Sequence, residues 1–373
     1  MVTYDCRVQV PHPFRQKRVG EGLIKRYCFA GLHPPHLLCE GGVPVRYRRH
    51  GRLNSGADQG LRLGWSCDRR SDWRREPIAS DDDNISVPQH ASHPRDWRRN
   101  LYVYPVISRR SEGLSIGINL RPDTTCNFNC AYCQVDRTAV AKVCEVDVDV
   151  LGAELSRMIA DAQSGSLFDD PAFASVPVPL RAIKDIAFSG DGEPTTCERF
   201  AECVELVAGL KRSAGLGDAK IVLITNACYL TTPNVAAGLS IMDKNNGEIW
   251  AKLDAGTEES FRLINRPSHA GHTLEHVIEN IISAGRVRPV VIQSMFLRFE
   301  GRPPDEADVS SYVARLGEIQ DAGGRINHVQ VYTVARKPAQ RTVEPLTDTE
   351  VDRIADTVRA GTGLEVKTFY SPR

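Results

Sequence analysis

Three cysteines, Cys126, Cys130 and Cys133, stand at C-x3-C-x2-C spacing in the run Cys126-Asn127-Phe128-Asn129-Cys130-Ala131-Tyr132-Cys133. Thiolates that close together are costly unless a positive centre holds them, and iron–sulfur clusters are held by such thiolates. Three ligands on a four-iron cluster leave one iron open, and an open position separates a reactive metal site from a closed structural one. Zinc motifs more often come as paired C-x2-C elements. The spacing therefore favours a [4Fe-4S] cluster over two alternatives that stay open: a zinc site short of one ligand, or three reduced core cysteines.

Other polar groups fall where strands are expected to end. Ile183-Lys184-Asp185-Ile186-Ala187-Phe188 reads as a strand running into Ser189-Gly190-Asp191-Gly192-Glu193. Glycines there allow close backbone approach to a ligand, and a fixed carboxylate can accept hydrogen bonds from an ammonium group. Lys220 to Ile224 reads as a buried strand ending in Thr225-Asn226. Lys252 and Asp254, in the expected strand Glu248 to Gly256, are two apart and so share a face. Such a pair is costly to bury without a ligand; a partly solvated salt bridge at a rim is the other reading.

The elements that position these groups follow from periodicity. Leu101 to Ile107 and Ser115 to Leu120 read as strands, the second leading straight into the cysteines. Helical spacing recurs at 148–162, 200–210, 233–242, 272–284, 306–322 and 348–360. Between the helices lie the three strands above, then Pro289 to Phe296, His328 to Val334 and Leu364 to Phe369. Six strands after the cluster strand, alternating with helices, predict an α/β fold: a parallel sheet curled into a partial (β/α)6 TIM-like barrel. In a barrel, chemistry sits at the C-terminal face, where every candidate lies.

The cysteine motif, with the aromatic Tyr132 just before its last cysteine and a βα succession after it, resembles the signature of the radical S-adenosylmethionine (SAM) superfamily over residues 95–373. The resemblance implies a [4Fe-4S] cluster on Cys126, Cys130 and Cys133 that binds SAM through its open iron. SAM is then cleaved reductively to methionine and a 5′-deoxyadenosyl radical, which abstracts hydrogen from a substrate. It implies SAM contacts from Tyr132, Gly190, Gly192, Glu193 (amino group), Asn226, Lys252 (carboxylate) and Asp254 (ribose hydroxyls). It also implies a reductant such as flavodoxin or ferredoxin. Lys252 to Gly256, Glu258 to Phe261 and Ile264 to Pro267 look most like the wyosine-type, tRNA-modifying branch, with Arg266 a cation to set over substrate. That branch condenses pyruvate carbons onto a methylated guanosine, and a Schiff base would require Lys142, Lys184 or Lys252. A tRNA base or a peptide is the implied substrate class. Two further readings remain: a glycyl-radical activating enzyme working on a partner protein, and a non-catalytic iron–sulfur or zinc protein that binds RNA.

Composition bounds the rest. At 373 residues the chain holds one large α/β domain and an extra segment. Neither a secretory signal nor a membrane-length apolar run is present, and 11 cysteines without an export signal point to metal chemistry in a reducing, cytoplasmic setting. The net charge of zero divides unevenly. Residues 1–100 carry +7, along with six of the ten His and three of the four Trp, and the remainder carries −7. Residues 1–92, rich in Arg, Pro and His and lacking period, are read as a disordered extension of the kind translated from upstream of a true start codon. A basic arm for nucleic acid, using Trp65, Trp73 and Trp97, is the competing reading. Residues 93–373 form the expected core domain. Cys6, Cys28, Cys39 and Cys67 match no metal spacing.

Overall fold

The computed structural model describes residues 97–135, 145–336 and 340–372, all within the unit Asp82–Arg373. The N-terminal extension with its four cysteines, the 92/93 boundary, Lys142, Lys337 and Pro338 lie outside the described residues.

The elements in chain order are β1 (Val103–Ser108), β2 (Gly113–Ile118), α1 (Val148–Ser164), β3 (Ile183–Phe188), α2 (Phe200–Ser213), β4 (Lys220–Thr225), α3 (Pro233–Asp243) and β5 (Gly247–Lys252). There follow α4 (Glu258–Ile264), α5 (Leu274–Val287), β6 (Val290–Met295), β7 (Arg298–Phe299), α6 (Glu306–Asp321), β8 (Ile326–Tyr332), β9 (Val343–Glu344), α7 (Asp348–Thr362) and β10 (Val366–Phe369). Eight strands form one sheet in the order β1-β2-β3-β4-β5-β6-β8-β10; β7 and β9 make a separate two-stranded ribbon. Six strands after β2 run parallel to it, as the alternation predicts, while β1 pairs antiparallel with β2.

The strands carry two faces of different character. In β2, Leu114, Ile116 and Ile118 are fully buried in the large core shared with the helices, while Ser115 and Gly117 line a central cavity. Asp185 and Ala187 of β3, Trp250 and Lys252 of β5, and Gln293 and Met295 of β6 line it in the same alternation. A smaller apolar cluster of Ala187, Val222, Trp250 and Val291 lies apart from the main core. The helices close the outside. In α1, Leu151, Leu155, Met158 and Ile159 are buried, Asp147 caps the first turn by accepting from the amides of Asp149 and Val150, and Gly165 at φ 88° ends it. In α7, Thr347 and Glu350 form a capping box.

The sheet curls without closing. β1 and β10 are its edges, yet the turn after β1 reaches the last strands: Arg109 Nη1 donates to the Tyr370 carbonyl. The Arg110 guanidinium lies 4.4 Å from the Tyr332 ring centroid. The result is an open half-barrel with a side-chain clasp across its seam. Among the described residues no helix is long and apolar enough to cross a membrane.

Candidate functional site

The segment after β2 turns back as Asn119 to Thr125 before the cysteines. Asp123 organises it, accepting from Thr125 Oγ1 at 2.9 Å and Arg121 Nη2 at 2.7 Å. The thiol loop leans on the segment after α4: Ala131 N donates to the Ile264 carbonyl (2.7 Å), Asn129 N to Arg266 (3.0 Å) and Ser268 N to Asn127 (2.9 Å). None of the three cysteines is in a disulfide. All three, with Tyr132, line a cavity of about 370 Å³ inside the half-barrel. Burial pushes the Cys130 thiol up to about 12, and the Asp254 carboxylate pushes the same way. A bare thiolate is thus costly at this position, and a positive centre would have to offset it.

The residues present fit a four-iron cluster. Three thiols on one loop face a common cavity, whereas among the described residues no three His, Cys, Asp or Glu side chains converge on a single metal ion.

Glu193 is buried, and four donors hold it: Thr195 N (3.1 Å), Thr195 Oγ1 (2.5 Å), Thr225 Oγ1 (2.6 Å) and Asn226 N (2.8 Å). Burial raises its pKa, against the lowering effect of those hydrogen bonds. No cation pairs with it among the described residues. It lines the cavity, so an incoming ammonium could reach it. Gly190 and Gly192 serve the loop's packing first: a Cβ on Gly190 would lie 2.3 Å from Asn119 Oδ1, and one on Gly192 1.9 Å from the Thr125 carbonyl oxygen. Asp191, between them, accepts from Asn119 Nδ2 at 2.6 Å and returns its amide to Asn119 Oδ1 at 3.1 Å. The intervening aspartate is what ties the glycine loop to the end of β2.

Lys252 lies at the end of β5, which stops two residues short of Asp254. The expected strand to Gly256 is therefore too long, although the two side chains still meet, Nζ to Oδ1 at 3.3 Å. Lys252 also donates to Tyr332 OH at 2.7 Å and lies 4.9 Å from the Tyr132 ring centroid. Burial works to lower the Lys252 pKa, but the Asp254 carboxylate and Tyr332 outweigh it and hold the ammonium above its ordinary range. Lys184 is exposed on β3. Lys184 lies outside the cavity lining, and Lys252, held as the ammonium, does not offer the free amine that a Schiff base requires.

Asp254 does not line the cavity. Its fully buried carboxylate accepts from Tyr132 OH (2.5 Å), Asn265 Nδ2 (2.7 Å) and Met295 N (2.9 Å) as well as from Lys252. It therefore positions Tyr132 and Lys252 from behind. Asn226 lines the cavity with its carboxamide already engaged, donating to Asn127 Oδ1 at 2.7 Å and accepting from Cys228 N at 3.1 Å. Arg266, expected over substrate, lies outside the cavity lining; its guanidinium is 5.9 Å from the Phe299 ring centroid and donates to Leu263. Tyr132, Gly190, Gly192, Glu193, Asn226 and Lys252 thus meet around one space with the three cysteines. Sequence reasoning missed Asn265, Tyr332 and Arg110, whose relation to the site is purely tertiary.

No protein-family model matches the chain. It is 24% identical over 271 residues to the GTPase Obg of Brachyspira hyodysenteriae, covering 70% of this chain and 34% of that protein. With a UPF0026 protein of Synechocystis sp. it shares 29% identity over 246 residues, covering 65% of this chain and 79% of the relative. With a UPF0026 protein of Methanocaldococcus jannaschii it shares 28% over 179 residues, 48% of each. Among solved structures it is similar to Streptococcus suis SuiB bound to S-adenosylmethionine (TM-score 0.43, 11% identity, 70% of this chain and 48% of that one). It is also similar to archaeal TYW1 (TM-score 0.39, 12% identity, 68% and 74%). At these scores the structural likeness carries no argument about activity. The chain spans about a third of the Brachyspira relative's length and about half that of the Methanocaldococcus one.

Proposed function

We propose that this protein is a radical SAM enzyme. Cys126, Cys130 and Cys133 would hold a [4Fe-4S] cluster, Glu193 would take the SAM ammonium, and Lys252 would turn to the SAM carboxylate the one N–H left beyond those given to Asp254 and Tyr332. The observation that carries the reading is the meeting of three thiols and a buried carboxylate without a cation in one cavity inside the half-barrel. When bound and reduced, the cluster supplies the electron that cleaves SAM to methionine and a 5′-deoxyadenosyl radical, the hard step that belongs to the cofactor. The chain's own residues bind, orient and exclude water: Asp254 fixes Tyr132 and Lys252, and Asn226 ties Glu193 to the thiol loop. Hydrogen abstraction from a tRNA base or a peptide, with flavodoxin or ferredoxin as electron donor, extends the same reading.

The test uses the full chain, purified without oxygen and reconstituted with iron and sulfide. The expected result is four irons per chain, an optical change of the cluster on adding SAM, and 5′-deoxyadenosine on adding dithionite, all lost in Cys130→Ala. Zinc bound in preference to iron, or a loaded cluster indifferent to SAM, would replace this reading with that of a metal-containing binding protein.

A further inference from the structure

Arg110 sits in the turn between β1 and β2, at the seam of the half-barrel, and lines the cavity. Its guanidinium carbon lies 4.4 Å from the Tyr332 ring centroid and 5.5 Å from that of Phe369. Rings are its only described company. Nε is buried without a hydrogen-bond partner, and among the described residues no carboxylate pairs with the group. The clasp across the seam is made by its neighbour, Arg109, through the Tyr370 carbonyl. The carboxylates lining the cavity are engaged elsewhere: Asp185 accepts from Ser115, Glu193 from Thr195, Thr225 and Asn226, and Asp191 from Asn119.

A half-buried guanidinium whose Nε is shut from water and unpaired is unfavourable, and ring contacts offset only part of that. Its planar fork matches a carboxylate or phosphate in bidentate fashion. Of the other cations that line the cavity, Lys252 already has Asp254 as its partner and Arg109 donates to the Tyr370 carbonyl. We infer that Arg110 is the anchor for an oxyanion of the substrate, a carboxylate or a phosphate, seated at the seam between β1 and β10. Tyr104, Trp250 and Gln293 line the same cavity. The word "substrate" rests on the reading above; the oxyanion site itself does not depend on the cluster.

The test is thermal unfolding of the full chain, titrated at constant ionic strength with inorganic phosphate and separately with acetate. A ligand that binds only the folded state raises Tm in a saturable way. The wild type should show that rise with at least one of the two anions. Arg110→Met should melt higher than the wild type without anion, because a half-buried unpaired charge is gone. Its anion affinity should be weaker by about tenfold to a hundredfold. Arg110→Lys should keep a reduced response. An equal rise in wild type and Arg110→Met would mean an adventitious ion only, and no saturable rise in the wild type would also overturn the site. Arg110→Met melting below the wild type would make the guanidinium a structural strut and sink the inference. A second arm repeats the titration on iron-loaded protein saturated with SAM. A response that persists supports a substrate oxyanion; one that SAM abolishes assigns the site to SAM's own carboxylate. Failure of SAM to bind, with the phosphate response intact, would remove the radical SAM reading and leave the oxyanion site standing.

Discussion

Glu193 and Arg110 occupy the same cavity and are opposite in more than charge. Glu193 is wrapped by four donors from Thr195, Thr225 and Asn226 and meets no cation. Arg110 is flanked by two aromatic rings and meets no anion. Lys252 and Asp254 neutralise each other. The difference teaches which charges the fold spends on itself and which it leaves for ligands. The Glu193 end is rigid and hydrogen-bonded, built to hold one geometry. The Arg110 guanidinium meets only rings, a contact that tolerates rotation of its plane and would suit a variable oxyanion.

The largest expected effect breaks the Glu193 end mechanically. Gly192→Ala puts a methyl group 1.9 Å from a backbone oxygen and 2.7 Å from Arg121 Cβ. It should cost about 3 kcal/mol or more in stability, read by denaturant unfolding, and should lower iron incorporation because Thr125 adjoins the first thiol. Next comes Asp254→Ala, which leaves the Lys252 ammonium buried without its counter-charge. A loss of about 3 kcal/mol, together with a changed optical spectrum of the loaded cluster, is expected; an unperturbed Tm would show the pair to be solvated and dispensable.

Glu193→Gln removes charge while keeping shape. SAM affinity, measured by equilibrium binding, should weaken by about tenfold to a hundredfold, as for loss of a charge-assisted hydrogen bond. The same variant tests the electrostatics of the empty site. Burial raises the Glu193 pKa above its ordinary 4.5. The neutral acid is therefore favoured in the fold, and its stabilising contribution is full below 4.5 and lost as pH rises through the folded value. The Tm advantage of wild type over Glu193→Gln should shrink across that window, and a constant difference would contradict the assignment. The smallest effect sharpens the middle of the cavity: Tyr332→Phe removes one hydroxyl from Lys252 but keeps the ring under Arg110. It should cost about 1 kcal/mol and leave the anion titration unchanged.

Much of this was legible in the sequence, for identifiable reasons. Parallel strands buried on both sides read as near-continuous apolar runs, so β3, β4 and β6 could be located within a residue or two, and βα alternation then fixed their order. Cys126, Cys130 and Cys133 could be named from their C-x3-C-x2-C spacing, and Glu193 from the family resemblance of the glycine-glutamate loop after β3. Lys252 and Asp254 were paired through strand geometry, yet the contact arises across a strand end. The seven-residue α4 escaped because two turns show no reliable period. Arg110 escaped for a deeper reason: its surroundings, Tyr332 and Phe369, come from the far end of the chain, and only the curl of the sheet brings them to the β1–β2 turn.

The tie between Asp191 and Asn119 has a consequence for how the protein is assembled. With Gly190 and Gly192 packed against the segment Asn119 to Thr125 without room for a methyl group, the two loops form one mechanical piece. Seating the first sets the second. On the proposed radical SAM reading loading would have an order: iron, by fixing the thiol loop, would template the pocket for the amino acid end of SAM, and SAM offered before iron should meet a looser mould and bind more weakly.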